Sequence, residues 1–233
     1  DLTPFSFPKR VSPGNFAARI PGMTSAQQDP KEDARLLALL EGSELAFRKF
    51  GVRAPSMDDL AGHLGVSKKT LYKHVKDKAD LVFQVFNHIC TRQDDQIAAL
   101  SASGKNAIEA VICAMEYLQS ELREMHPSLL FDLQKYYPSS MERLHQHKMK
   151  NMQGYLVRNI ERGQKEGFYR KDFDARLISR LHMAMVQTMT DPATLEEFGR
   201  PLSELQKELH TYHLRGIAND NGLKYLRDRN NSH

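Results

Sequence analysis

MDDLAGHLGVSKKTLYKHV, residues 57–75, holds two short helical patterns hinged at one glycine. Ser56 lies just ahead of it with Asp59 three residues on, which predicts a capping box opening a helix to about Leu64. Two short helices that cross steeply need a small side chain at the crossing, and Ala61 occupies that place. Gly65 then ends the first helix, because a residue without Cβ takes the left-handed backbone that a tight turn requires. Val66 plugs the turn, and Leu60, Leu64, Leu71 and Val75 supply the shared core. Ser67 caps a second helix through about His74. Its outer face is left with Ser67, Lys68, Lys69, Thr70 and Lys73, and no acidic residue occurs from Ser67 to Lys76. A lysine run is commonly a solvated face. Displayed at the tip of a helix-turn-helix, it also fits the major groove of duplex DNA, about 12 Å wide.

The helical rhythm extends to both sides. DARLLALLEGSELAFRKF, residues 33–50, places Leu36, Leu40, Phe47 and Phe50 on one face, with Asp33 at the cap position and Gly51 as the stop. Asp77 opens a longer helix carrying Leu81, Val82, Val85, Phe86 and Ile89. From Gly104 to Met125, residues Ile108, Val111, Ile112, Met115, Leu118 and Leu122 share a face. Pro127 suits the first turn of a short helix ending before Pro138. A long helix is expected from about Ser140 to Gly167, then a turn over Phe168–Phe173, then a helix from Asp174 to Thr190 stopped by Asp191-Pro192. Ser203, with Gln206 completing a capping box, opens the last helix, which closes near Gly216. The expectation is an all-α chain of about nine helices. It comprises an irregular tail (1–32), a three-helix helix-turn-helix DNA-binding domain (33–80) and a helical remainder (81–233).

Composition sets looser bounds. The 233 residues are 40% hydrophobic and 27% charged, enough to build a core without staples. A formal net charge of +4 permits an anionic partner without requiring one. Cys90 and Cys113 read as small buried hydrophobes rather than a disulfide. No apolar run reaches the roughly 18 residues of a membrane span, and no apolar signal core precedes the first helix. The expected location is therefore the cytoplasm. The tail carries Pro4, Pro8, Pro13 and Pro21, with Met23 as a candidate natural start. It reads first as a solvated segment. Lys9, Arg10 and Arg19 are the residues such an arm would bring to a minor groove.

The segments ELAFRKFG (44–51) and SMDDLAGHLGVSKKTLYKHVKDKADLV (56–82) resemble the tetracycline-repressor (TetR) family. The resemblance implies a ligand-responsive transcriptional regulator, by family default a repressor that a small molecule releases from its operator. It implies that Ser56, His74 and Lys78 meet phosphates, and that Lys68, Lys69 and Thr70 face the groove. Tyr72 would pack on the DNA backbone. Val75 stands where the family often has phenylalanine, with the same core role and less volume. With Ser67 and Lys73 from the outer face, these residues form the expected DNA contact.

The same resemblance implies that residues 81–233 form a ligand-binding and dimerisation domain, with a homodimer built on the last two long helices. Here those would be Asp174–Thr190, with Leu177, Leu181, Ala184, Met185 and Thr188, and Ser203–Gly216, with Leu205, Leu209, Tyr212 and Ile217. A two-fold dimer also follows from function, since it reads two half-sites about 34–36 Å apart. Met115, Tyr117, Phe131, Tyr136, Tyr155 and Met183 lie in the right helices for a small-molecule inducer pocket, although methionines and aromatics at helical spacing are more often plain core.

Two other classes stand beside this reading: a helical metal or redox enzyme, and a helical partner-binding protein that never touches DNA. Glu142 and His145 make one Glu-x-x-His step where a ferritin-like centre needs two. His145 with His147, and His210 with His213, read as surface or boundary histidines. No phosphate-cradling glycine loop, G-x-S-x-G or CxxC occurs. The expectation is no enzyme, no cofactor and no metal.

Overall fold

The computed structural model describes residues 30–124, 126 and 128–231. Among them the chain forms eleven helices: α1 (Pro30–Phe50), α2 (Met57–His63), α3 (Lys68–His74), α4 (Lys78–Ser103), α5 (Ala107–Arg123), α6 (Leu129–Tyr136), α7 (Pro138–Glu166), α8 (Ala175–Thr190), α9 (Pro192–Phe198), α10 (Leu202–Ile217) and α11 (Asp220–Asn230). The described residues contain no strand, only an isolated antiparallel bridge between Tyr169 and Ala218. The all-α expectation holds.

The count exceeds nine by two helices, α9 and α11, whose starts the periodicity does not announce. Asp191-Pro192 stops α8 and also opens α9: the Asp191 carboxylate accepts from the Thr194 N–H, and Pro192 is the first helical residue. Asn219 caps α11 in the same way, accepting from Gly222. The proposed Ser203/Gln206 capping box does not form. The helix begins one residue earlier, at Leu202, and the first free N–H groups, of Glu204 and Leu205, donate to the Pro201 carbonyl instead. Likewise α1 starts at Pro30, so Asp33 sits in its first turn with Glu32, favourable at the positive end of the helix dipole. Phe50 leaves the expected buried face: it is 47% exposed, with the Lys49 ammonium over its ring, and Leu39 is buried in α1 instead.

Three apolar clusters hold the bundle. The first joins α1 to α4 through Leu40, Phe47, Leu60, Leu71, Leu81 and Val85, and reaches Leu129 and Leu133 of α6 and Leu144 of α7. The second packs Ile108 and Val111 of α5 against Ile160, Tyr169, Leu214 and Ile217. The third gathers Ile97, Ala114, Tyr155, Leu156 and Met183. α4 runs unbroken through residues 80 and 81, so the N-terminal helices and the rest of the chain share one long rod. Gly163 of α7 is required by packing, because a Cβ there would enter the Tyr169 ring, one of the largest fully buried side chains. Cys90 and Cys113 are free and half-buried. Among the described residues no helix is long and apolar enough to cross a membrane.

Candidate nucleic-acid interface and effector sites

The helix-turn-helix forms as its caps demand. The Ser56 side chain accepts from the Asp59 N–H at 3.2 Å, and Asp59 accepts from the Ser56 N–H at 2.8 Å, closing the capping box. α2 ends in two crossed bonds, Val66 N–H to the Ala61 carbonyl and Gly65 N–H to that of Gly62. This is a Schellman turn, and it needs the left-handed φ of +67° at Gly65. Ser67 caps α3 by accepting from Thr70, and Asp77 caps α4 by accepting from Asp80. The expected core is inside: Leu60, Ala61, Leu71 and Val75 are buried, with Leu64 and Val66 packed against them. Gly42 of α1 lets Leu64 approach where any side chain would collide.

With Leu71 and Val75 turned inward, α3 shows solvent the opposite face. Lys68, Lys69 and Lys73 are exposed there, and Tyr72 is 42% exposed. Lys68 pairs with Asp58 of α2 at 2.9 Å, and the hydrogen bond to that carboxylate raises the ammonium pKa above its usual value. The pair is exposed on both sides, so a phosphate can take the lysine over. Thr70 is half-buried and shares a 2.8 Å hydrogen bond with Ser67. Two expected phosphate contacts have work elsewhere. The Ser56 hydroxyl donates to Asp59 at 2.6 Å, which with the backbone bond holds that carboxyl below its usual range. The Lys78 ammonium donates to the Arg53 carbonyl at 2.9 Å, tying α4 to the α1–α2 loop, and burial lowers its pKa. His74 is half-buried, and its carbonyl accepts from Gln84. Lys9, Arg10, Arg19 and Met23 lie outside the described residues, as does Pro127.

A partly buried ion network joins this domain to the rest. Glu44 of α1 accepts from Arg92 of α4 at 2.6 and 2.8 Å, and Arg48 of α1 donates to Glu121 of α5 at 2.7 Å. Burial alone would raise the Glu44 carboxyl, but Arg92 and Arg48 together outweigh it and hold the pKa below the usual value. Tyr117 lies beside Arg92, and burial pushes its phenol up to about 12.

The six expected pocket residues do not share one cavity. Tyr155 and Met183 are buried in the third cluster, with Tyr117 packed at its margin. Phe131 and Tyr136 are 51% and 38% exposed on α6, where Lys135 stands over both rings. Met115 alone of the six lines the cleft of about 360 Å³ between α5, α10 and α11. Without α11, one wall of this cleft was invisible in the sequence.

One histidine overturns an expectation. His213 of α10 is buried, whereas His210 is half-buried, as a boundary group is. His210 and His213 meet His182 of α8, with ring centroids 5.7 and 4.4 Å from it. His182 and His213 are buried, and His182 Nδ1, His210 Nδ1 and His213 Nε2 are buried without a hydrogen-bond partner. Burial lowers the pKa to about 4 for His182 and His210 and about 3 for His213. Among the described residues no three His, Cys, Asp or Glu side chains are grouped to hold a metal ion. On the expected dimer helices, Leu177, Leu181 and Tyr212 are exposed, at 57%, 51% and 70%, whereas Leu209 and Ile217 are buried within the chain.

Residues 39–85 match the sequence model of the bacterial regulatory proteins, tetR family. No curated protein matches the sequence. Solved structures that share the fold include these three. A TetR-family transcriptional regulator from Agrobacterium tumefaciens is 18% identical, with a TM-score of 0.60 over 80% of this chain and 99% of that one. A TetR transcription regulator from Haloarcula marismortui is 15% identical, with a TM-score of 0.64 over 80% and 100%. A regulator from Saccharomonospora viridis, crystallised with choline, is 18% identical, with a TM-score of 0.61 over 80% and 99%. At these identities the structures speak for the fold, and the matched segment coincides with the helix-turn-helix built above. Residues 39–85 therefore carry a tetR-family helix-turn-helix, on a chain that shares the fold of TetR-family regulators.

Proposed function

We propose that the chain is a ligand-responsive repressor, a cytoplasmic homodimer that binds an operator in duplex DNA and is released from it by a small molecule. One observation carries the reading. The second helix of the motif buries Leu71 and presents Lys68, Lys69, Tyr72 and Lys73 to solvent on the side a major groove would receive. Lys69 and Lys73 are the foremost groove and phosphate residues. Lys68 and Thr70 join them by exchanging protein partners for DNA. Ser56, Ser67 and His74 border the contact. Lys78 serves it chiefly by fixing the loop ahead of α2.

The exposed leucines of α8 and Tyr212 of α10 favour a second copy as the cover for that face. Coupling has a physical route: α5 carries both Met115, at the cleft, and Glu121, which grips Arg48 of α1. A ligand that displaces α5 would act on the spacing of the two recognition helices through that ion pair. The regulator from Saccharomonospora viridis accepts choline in its structure, a precedent for a small molecule on this fold.

Mobility shift against the chain's own upstream DNA, across a salt series, tests the proposal. Affinity falls steeply with salt while preference over random duplex is retained. Tyr72→Ala weakens binding; equal binding by that variant and the parent overturns the docking. Binding with no sequence preference at any salt overturns the regulator.

A further inference from the structure

The cleft between α5, α10 and α11 joins an apolar floor to unanswered positive charge. Ile112 and Met115 of α5, Leu214 of α10 and Leu226 of α11 line it. Ile112 and Met115, three residues apart, share one face of α5. Three cations also reach the cleft, in different states. Arg229 is neutralised in place, donating to Glu109 at 3.2 Å and to Glu116 at 3.3 Å. Lys207 and Arg215 line the same cleft from exposed positions, and neither forms an ion pair with a described acidic group. They stand eight residues apart on α10, about 12 Å by helical rise, with His210, Thr211 and Leu214 lining the cleft between them. The cleft volume of about 360 Å³ falls in the range of small-molecule sites.

We infer that this cleft binds a small amphiphilic carboxylate, its chain laid on Ile112, Met115, Leu214 and Leu226 and its anionic head paired with Lys207 or Arg215. A neutral amphiphile would leave both cations unanswered. A cationic one would be repelled by them, and Glu116, the acidic group at the rim, is already held by Arg229. A carboxylate gains charge-assisted hydrogen bonds at the cleft edge, where the guanidinium offers two parallel donors. The inference names the effector class for the regulator proposed above, but the binding step involves no DNA and stands or falls separately.

Calorimetry on the full chain tests it with sodium octanoate, octan-1-ol and octyltrimethylammonium as probes. Octanoate binds once per chain, and more tightly than the other two. The double variant Lys207→Gln/Arg215→Gln weakens octanoate at least tenfold and leaves octanol binding unchanged; its melting temperature matches the parent because both side chains are exposed. In spectra of methyl-labelled methionine, octanoate shifts the resonance assigned to Met115 by its loss in Met115→Leu. The inference is overturned if octanoate does not bind, if the double variant binds it as the parent does, if the ammonium probe binds as well, or if Met115 stays still. Octanoate that binds as described yet leaves operator affinity unaltered upholds the carboxylate site and overturns its role as effector.

Discussion

The helix-turn-helix and the α8–α10 pair dispose of their polar and apolar groups in opposite ways. In the first, leucines are inside, lysines are outside, and each helix start is met by its own Ser or Asp cap. In the second, three imidazoles are inside with unpaired ring nitrogens, while Leu177 and Leu181 face outward. A single chain gains nothing by that inversion: an orphan buried nitrogen carries its full desolvation cost, and an exposed leucine forgoes burial. The first region is complete in one copy. On the dimer proposed above, the second is half of a surface, with the leucines covered by a second copy and the imidazole seam behind them.

Four measurements test the contrast, and the largest effect belongs to the self-sufficient region. Leu71→Ala removes a fully buried side chain and should cost about 2–5 kcal/mol in urea unfolding, with operator binding lost. A cost below about 1 kcal/mol would mean that the motif is not the packed unit described. Replacing Leu177 and Leu181 together by Arg should leave monomer unfolding unchanged and weaken self-association at least about a hundredfold, roughly 3 kcal/mol, in sedimentation equilibrium. Unaltered or absent self-association would overturn the proposed dimer face on α8 and α10.

The imidazole seam predicts a pH dependence. Unfolded histidines take up protons below about pH 6.5, whereas His182 and His210 resist until about pH 4 and His213 until about pH 3. The stability these imidazoles contribute is therefore full above pH 6.5 and is lost as the pH drops toward 4. Glu44, whose carboxyl pKa is lowered, contributes only below about pH 4.5, so the two effects separate. His213→Leu should flatten the upper slope; a profile level from pH 6.5 to 4.5 in the parent would disprove the seam.

The smallest effects lie at the recognition tip. Lys69→Ala should cost about 1–3 kcal/mol on the preferred operator and change which sequence is preferred. Lys78→Ala should weaken all sequences alike and also lower the melting temperature, because its ammonium holds the Arg53 carbonyl. Identical shifts in sequence preference for the two would remove the distinction between groove contact and loop support.

Much of the first region was legible. Ser56, Ser67 and Asp77 cap where their spacing says, since a cap is a contract between residues three apart. The misreadings come from contacts that spacing does not record. Phe50 has the right period for burial but ends its helix beyond the core, under Lys49. Ser203 has a cap's side chain but follows a proline whose carbonyl already serves the helix start.

Local pattern was enough to declare an all-helical chain, the hinge at Gly65 and the lysine-bearing tip, because helix periodicity, caps and glycine stereochemistry act within a few residues. The histidine seam, the ion pairs from α1 to α4 and α5, and the cleft walled by α11 required the folded chain. Each is made by side chains dozens of positions apart, and nothing in their one-dimensional order says which helices will lie side by side.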